Sequence, residues 1–219
     1  MAMPSESQRR FLRDATMKYY ESLDGSPAQE YLEKRGIPLE TANKYVLGYV
    51  ADPALGHEKY QGFLAIPYMR TPPIKGAPRT VASIRFRCIE DHEHRGHGKY
   101  MTLPGDRPRL FNTEALITGN DRIAITEGEL DAIAATAAGL PAVGIPGADS
   151  WRPYWRLPLL GYREVLVLED GDAAGEKVGA AVCKSLPNAR VIPMPPGEDV
   201  NSMVNKYGAE EFLERVKIK

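Results

Sequence analysis

This 219-residue chain has few cysteines, and its sequence shows neither a long apolar stretch nor a signal-like start. The two cysteines, Cys88 and Cys183, are too few for a disulfide framework or a zinc ribbon, which fits a reducing compartment. No run approaches the roughly 20 apolar residues of a membrane helix. Arg9, Arg10 and Arg13 stand among polar residues rather than before an apolar stretch. We therefore expect a cytoplasmic protein with no membrane partner.

The charge is balanced overall but unevenly distributed. The net charge is −1, yet residues 1–118 hold 17 basic against 14 acidic residues, and residues 119–219 hold 11 against 15. Between Arg70 and Arg109 nine basic residues face four acidic ones, which is enough for a local phosphate-binding surface. On charge alone, a solvated loop surface explains the same count.

Two patterns of predicted secondary structure divide the chain at residue 118. The first part combines helices with short β-branched and aromatic runs, which indicate a small antiparallel sheet. The second part alternates apolar strands with helices, as in a parallel sheet covered on both faces. We predict an α+β N-terminal subdomain, residues 1–118, packed on an α/β subdomain, residues 119–219, with a parallel central sheet. The predicted helices cover 8–23, 27–35, 38–45, 129–138, 151–160, 174–186 and 200–216, and the predicted strands cover 63–68, 81–87, 100–103, 122–126, 142–145, 165–168 and 190–194.

Acidic residues follow three of the predicted parallel strands. Glu127 follows the first, Asp170 and Asp172 follow the third, and Asp199 lies in the turn after the last. Ligands bind at the carboxyl ends of the strands in such sheets. Carboxylates held close together repel unless a cation neutralises them, and oxygen ligands of this kind suit Mg²⁺. A simple role in capping the helices behind them is the alternative.

The motifs around these acids resemble those of a known family. Residues 126–132, TEGELDA, and 168–175, LEDGDAAG, look like the Toprim domain shared by DnaG-type primases, type IA and II topoisomerases and some nucleases. Its signature is Glu-Gly after one strand and Asp-x-Asp after a later one. Residues 31–37, YLEKRGI, and 63–68, FLAIPY, resemble the polymerase domain of DnaG-type primases, and the likeness extends over about 15–205.

The resemblance implies synthesis of RNA primers on a single-stranded DNA template from ribonucleoside triphosphates, with Mg²⁺ or Mn²⁺ as cofactor. Glu127, Asp170 and Asp172 would be the catalytic residues, and the same three with Asp199 would bind metal. Glu127 is either a metal ligand or the general base. Glu129 and Asp131 are weaker candidates, because a helix rotates them away from the strand end. Expected contacts to nucleic acid or nucleotide are Arg35, Arg85, Arg87, Lys99 and Arg109.

The chain also departs from the bacterial enzymes. It shows no zinc-binding or helicase-binding domain, so we expect a replicative helicase or a separate zinc-binding protein as a candidate partner. Phe63 stands where the family has an arginine. The compact size suggests a viral or plasmid origin and, if viral, a location in the host cytoplasm.

One tract contains residue types that bind zinc, namely Cys88, His92, His94 and His97. Their spacing matches no closed structural zinc pattern, so we expect a solvent-exposed hairpin tip and no structural zinc. Tyr100 and Phe111 could stack on bases, but aromatics in short strands are more often core residues.

Two other function classes stay open. A Toprim nuclease would use the same carboxylates to hydrolyse a phosphodiester with metal-bound water. A non-catalytic nucleic-acid-binding accessory protein would need another reason for the clustered acids. The helical and basic elements of residues 28–112 favour the primase interpretation over the nuclease.

Overall fold

A computed structural model describes residues 5–72 and 76–217. The chain divides into two compact units between Arg107 and Pro108. This division comes earlier than the one we predicted after residue 118. Leu110 and Ala115 explain the difference, because both pack in the hydrophobic core of the second unit.

The described residues of the first unit form three α-helices, one short 3₁₀ helix and an antiparallel sheet. Both longer helices begin at a serine cap, since Ser5 and Ser26 each accept a hydrogen bond from the backbone N–H three residues on. The sheet order is β1-β2-β3-β4 with antiparallel neighbours throughout, and the two-residue β1 was not predicted. The elements are α1 (Glu6–Glu21), α2 (Pro27–Lys34), α3 (Leu39–Lys44), β1 (Gly48–Tyr49), β2 (Leu64–Arg70), β3 (Thr80–Arg87) and β4 (Tyr100–Thr102).

Aromatic side chains fill the core of the first unit. Tyr60 and Phe86 stack with their ring centroids 3.9 Å apart, and Tyr19 reaches them from α1. The Tyr19 hydroxyl pairs with His57 Nδ1 at 2.8 Å, and the Tyr60 hydroxyl donates to the Thr102 carbonyl at 2.7 Å, so both buried hydroxyl groups have partners. The amphipathic α1 is held against the sheet by this cluster and by Leu12.

The second unit is a four-stranded parallel sheet with the order β6-β5-β7-β8. The chain runs from β5 outward to β6 and then returns past β5 to reach β7. The two central strands, β5 and β7, are therefore neighbours whose following connections diverge, which opens a crevice at their carboxyl ends. The elements are β5 (Arg122–Thr126), α4 (Glu129–Ala137), β6 (Ala142–Gly144), β7 (Glu164–Glu169), α5 (Ala173–Ser185), β8 (Ala189–Pro193) and α6 (Val200–Lys217).

Two predicted helices differ from the structure. The segment Pro153–Leu159 is a 3₁₀ helix rather than an α-helix, and it contains Pro158, which has no backbone N–H for an α-helical hydrogen bond. Helix α6 breaks at Gly208, whose φ of 87° is outside the helical region. The remaining predicted elements agree with the structure to within a few residues.

No helix in the described part of the chain is long and apolar enough to cross a membrane. The cytoplasmic location stays a prediction.

Replacing Gly48 by alanine should destabilise the first unit. A Cβ at Gly48 would collide with the Tyr19 carbonyl group, which is rigid helix backbone. We expect Gly48→Ala to lower the free energy of unfolding by about 1–3 kcal/mol, as overpacking does. Urea unfolding followed by far-UV circular dichroism measures this. Gly161→Ala is the matched control, because a Cβ there meets no atom within 4 Å. Equal unfolding midpoints for the two variants would contradict the packing of α1 on β1.

Candidate active site

Acidic side chains lie at the carboxyl ends of the two central strands of the second unit. Glu127 directly follows β5, and Asp170 directly follows β7. Because β5 and β7 are hydrogen-bonded neighbours, their end residues share one edge of the sheet. This is the crevice at which open parallel sheets bind ligands.

Glu127 is a half-buried carboxylate with an unsatisfied oxygen. Burial first, and then the negative charge of Asp172, raise the pKa of Glu127 to about 7. The backbone N–H of Asp170 opposes this shift by hydrogen bonding. Glu127 Oε1 is buried and has no hydrogen-bond partner among the described residues. Such an oxygen is costly to leave unpaired, so a cation or proton is expected there.

Asp170 has a pKa that is raised further than that of Glu127. Burial is the main cause that raises the pKa of Asp170 to about 8, followed by the charges of Asp131, Glu127, Asp199 and Asp172. Its Oδ1 is also buried without a hydrogen-bond partner in the described part of the chain. The four carboxylates that the sequence predicts as metal ligands are thus close enough to influence one another.

Asp131 belongs to this group, although sequence reasoning discounted it. It is buried, and one of its oxygens accepts a 2.9 Å hydrogen bond from the backbone N–H of Asn201. After burial, it is the leading cause of the raised pKa of Asp170. Helix α4 starts only two residues after Glu127, so its first turn stays over the strand end. Asp131 is the third residue of α4, and helical side chains tilt toward the N-terminus of their helix, which directs Asp131 back to the strand end.

Asp172 and Asp199 cap helices as well as joining the acidic group. Asp172 Oδ1 accepts a hydrogen bond from the Gly175 N–H at 2.9 Å, and Asp199 Oδ1 accepts one from the Ser202 N–H at 2.6 Å. The capping role that we weighed as an alternative is therefore present. It does not exclude a ligand role, because each carboxylate has about four lone-pair positions.

The turns that carry the acids are tied together through Gly171. Its N–H donates to the Glu198 carbonyl at 2.9 Å, and its carbonyl accepts from the Gly197 N–H at 3.0 Å. A Cβ at Gly171 would overlap the Pro195 carbonyl oxygen, so only glycine allows this approach. The close contact places the Asp199 turn beside the Asp-x-Asp turn.

This set of donors fits a hard divalent cation. All are carboxylate oxygens, and two of them are buried without a partner among the described residues. Burial, and then their mutual repulsion, raises the pKa of Asp170 and Glu127. Mg²⁺ and Mn²⁺ prefer such ligands. Asp170 and Glu127 would bind the ion most directly, with Asp172 and Asp199 at the rim.

Arginine and tyrosine side chains form a separate layered group in the first unit. The Arg87 guanidinium is 5.4 Å from the centre of the Tyr31 ring and 4.6 Å from that of Tyr100, and it donates hydrogen bonds to both hydroxyls. Arg85 lies 4.5 Å from the Tyr100 ring centre, and Arg35 lies 5.7 Å from that of Tyr31. The rings and guanidinium groups hold one another in place through cation–π contacts.

This group lines an open cleft in the first unit. Its walls include Tyr31, Arg35, Arg87 and Lys99. Of the predicted phosphate contacts, the structure thus brings Arg35, Arg87 and Lys99 to one cleft, with Arg85 against Tyr100 beside it. Arg109 belongs to the second unit. Contact of these five residues with nucleic acid stays a prediction. Phe111 is a core residue, as expected, whereas the Tyr100 ring packs against arginines.

One sequence relative is close enough to show a family. The Gene 57 protein of Mycobacterium phage D29 is 53% identical over 157 residues, which make up 72% of this chain and 99% of the phage protein. The chain belongs to the family of this Gene 57 protein. Membership of the Gene 57 family fits the predicted phage-like character. No family model matches the sequence.

Solved structures of primase domains share the fold of this chain. A DNA primase domain from Pseudomonas aeruginosa matches with a TM-score of 0.76 at 22% identity, covering 96% of this chain and 78% of that one. A DnaG primase catalytic domain bound to ssDNA matches with a TM-score of 0.74 at 21% identity, covering 95% and 77%. The predicted resemblance to DnaG-type catalytic cores and the predicted fold class are confirmed.

Curated primases are more distant in sequence. The DNA primase of Geobacillus stearothermophilus is 26% identical over 223 residues, which correspond to 86% of this chain but only 37% of that enzyme. The chain thus spans well under half the length of the curated primases that it matches.

The acidic site should make stability depend on pH when no metal is bound. The folded chain keeps protons on Asp170 and Glu127 up to about pH 8 and 7, whereas the unfolded chain releases them near pH ~4. Between these values the folded state binds more protons, so the free energy of unfolding falls as pH rises. Urea unfolding in EDTA at a series of pH values measures this. Added Mg²⁺ should restore stability at high pH, and Asp170→Asn should flatten the profile. An unchanged midpoint from acid to alkaline pH would contradict the burial of these charges.

Proposed function

We propose that this chain is the catalytic core of a DNA primase that joins ribonucleotides on single-stranded DNA. The observation that carries the proposal is the acidic crevice at the ends of β5 and β7 in a chain with the DnaG-core fold. The bound ssDNA of one structural relative supports a single-stranded template. Ribonucleoside triphosphates are the proposed substrates. A replicative helicase or a separate zinc-binding protein is the proposed partner.

The carboxylates have distinct parts in this chemistry. When bound, Mg²⁺ or Mn²⁺ would neutralise the negative charge that develops on the nucleotide phosphates. Asp170 and Glu127 would hold it through their unpaired buried oxygens, and Asp131 sets the local charge. Glu127 cannot fill both parts at once, because a bound cation would lower its pKa below the value of about 7 that burial and Asp172 give it in the metal-free site. The alternative is that Asp170 holds the ion and Glu127 accepts the proton of the primer 3′-hydroxyl.

The cleft in the first unit is the proposed contact for the nucleic-acid backbone. Arg35 and Lys99 line it, and the Tyr31 ring lies beside the Arg35 and Arg87 guanidinium groups. Arg87 itself is 5% exposed. Its two tyrosine contacts support a role in holding the rings of the cleft, while Arg35 and Lys99 supply reachable positive charge.

Asp170→Asn should abolish primer synthesis. The change keeps the size of the side chain but removes the charge that holds the cation. The expected loss is at least on the order of 100-fold, as for other groups that stabilise a developing charge. Labelled ribonucleotides, single-stranded DNA templates and Mg²⁺ or Mn²⁺ give the readout as short RNA products on a sequencing gel.

The control for this experiment is Asp121→Asn. Asp121 lies before β5, at the opposite end of the strand, in an exposed ion pair with Arg163. The Asp121→Asn variant should leave the yield of RNA product unchanged. Metal-dependent degradation of the template instead of RNA synthesis would replace the primase proposal by the nuclease alternative. If neither RNA nor degraded template appears while the chain still binds the template, the accessory protein is favoured.

Lys99→Ala should weaken binding of single-stranded DNA in a salt-dependent way. Each lost phosphate contact lowers the slope of log affinity against log salt by about 0.7 for single strands. Fluorescence anisotropy with a labelled oligonucleotide at several salt concentrations measures the slope. Lys44→Ala is the matched control in the same unit, because Lys44 pairs with Glu40 at the surface. Equal slopes for both variants would remove Lys99 from the proposed contacts.

A further inference from the structure

Four potential metal ligands converge in the connection between β3 and β4. Cys88 directly follows β3, and His92, His94 and His97 come from the segment that leads to β4. One ligand atom from each of the four lies within 4.8 Å of all the others. The spacing along the chain does not reveal this grouping, because it depends on how the connection folds back.

Two of the distances between ligand atoms are close to those of a tetrahedral metal site. Zn–N bonds of about 2.0–2.1 Å and Zn–S bonds of about 2.3 Å put neighbouring ligand atoms roughly 3.3–3.6 Å apart in a tetrahedron. Cys88 Sγ is 3.8 Å from His92 Nε2, and His92 Nε2 is 3.2 Å from His97 Nε2. These two edges need shifts of only a few tenths of an ångström.

The hydrogen bonds of two histidines orient them for metal binding. His92 Nδ1 is 3.2 Å from a carboxylate oxygen of Glu90, and His97 Nδ1 is 3.2 Å from the Gly98 carbonyl oxygen. Both partners are acceptors, so both Nδ1 atoms serve as donors. When both rings are neutral, the two Nε2 atoms, 3.2 Å apart, face each other with bare lone pairs, which repel. A cation between them removes the repulsion, and acceptors behind metal-bound histidines are the usual arrangement.

The surroundings of His94 and Cys88 also favour a metal site. His94 Nδ1 is buried and has no hydrogen-bond partner among the described residues. Cys88 is 5% exposed within the hydrophobic core of the first unit. The ring of Phe63 packs edge-on against His97, with centroids 5.4 Å apart. Cys88 and the Phe63 contact thus anchor the group to the core at one side, while His92 is exposed at the other.

We propose that Cys88, His92, His94 and His97 bind one zinc ion. One thiolate and three imidazoles are ligands that favour zinc over Mg²⁺, and four protein ligands make a closed, structural site. The inference differs from our sequence prediction, which discounted zinc at this tract. It does not depend on the proposed primase activity.

Zinc here would shape the cleft of the first unit. Cys88, His92 and His94 line the same cleft as Arg35 and Lys99. The Cys88 N–H donates to the Lys99 carbonyl at 2.9 Å, so the segment is closed at its base, while zinc would hold its tip. A zinc ion with one thiolate and three neutral imidazoles carries a net charge of +1, which adds to the attraction for phosphate.

Metal content and cobalt substitution test the proposal. The full chain, purified without a histidine tag and with excess Mg²⁺ to occupy the acidic site, should contain one zinc ion per molecule by mass spectrometry of the metal. Replacing zinc by Co²⁺ should give the visible bands of a tetrahedral site and a near-ultraviolet sulfur-to-cobalt charge-transfer band. Cys88→Ser should lose the charge-transfer band, and His92→Gln should lower the zinc content.

Matched variants separate this site from other sources of metal. Cys183→Ser removes the second cysteine, in the other unit, and should keep the charge-transfer band. Asp170→Asn should keep both the band and the zinc. Folding of each variant is checked by circular dichroism. A folded wild-type chain with no bound zinc and no charge-transfer band on adding Co²⁺ would overturn the proposal, as would loss of the band in Cys183→Ser but not in Cys88→Ser. Absence of primer synthesis would not affect either readout.

Discussion

Repulsion among buried carboxylates is the constraint on which the second unit depends. Asp170 and Glu127 are taken out of water at one sheet edge, next to Asp131, and their pKa values rise to about 8 and 7. The fold offers partial compensation. Helices α4, α5 and α6 each follow a strand, so their positively polarised N-termini lie at this same edge. Burial first, and then the neighbouring negative charges, cause these raised pKa values, and a divalent cation is the natural complement.

The strand order explains why this constraint falls where it does. Since β6 and β8 flank the central pair, the connections after β5 and β7 leave in opposite directions and expose the strand ends. The close contact of Gly171 with the turn before Asp199 brings the third acidic turn to the crevice. A site of this kind costs stability in the metal-free chain and gains it when the cation is bound.

The first unit uses aromatic rings to hold positive charge. Arg87 is enclosed by Tyr31 and Tyr100, which replaces water by ring faces and hydroxyl groups around its guanidinium. Strands β3 and β4 carry Arg85, Arg87 and Tyr100 of this group, and the connection between them carries the Cys/His cluster. The proposed zinc ion and the basic cleft are therefore two properties of one hairpin, one giving it shape and the other a surface for phosphate.

Local sequence determined most of the elements and the Glu127, Asp170 and Asp172 motif, because caps, periodicity and strand-end positions act over a few neighbouring residues. Tertiary structure decided what depends on distant parts of the chain. Asp131 joins the acidic group because α4 begins at the strand end, and Leu110 and Ala115 join the second unit because its core accepts them. The Cys/His cluster forms only when the β3–β4 connection folds back over Phe63, a closure that residue spacing does not encode.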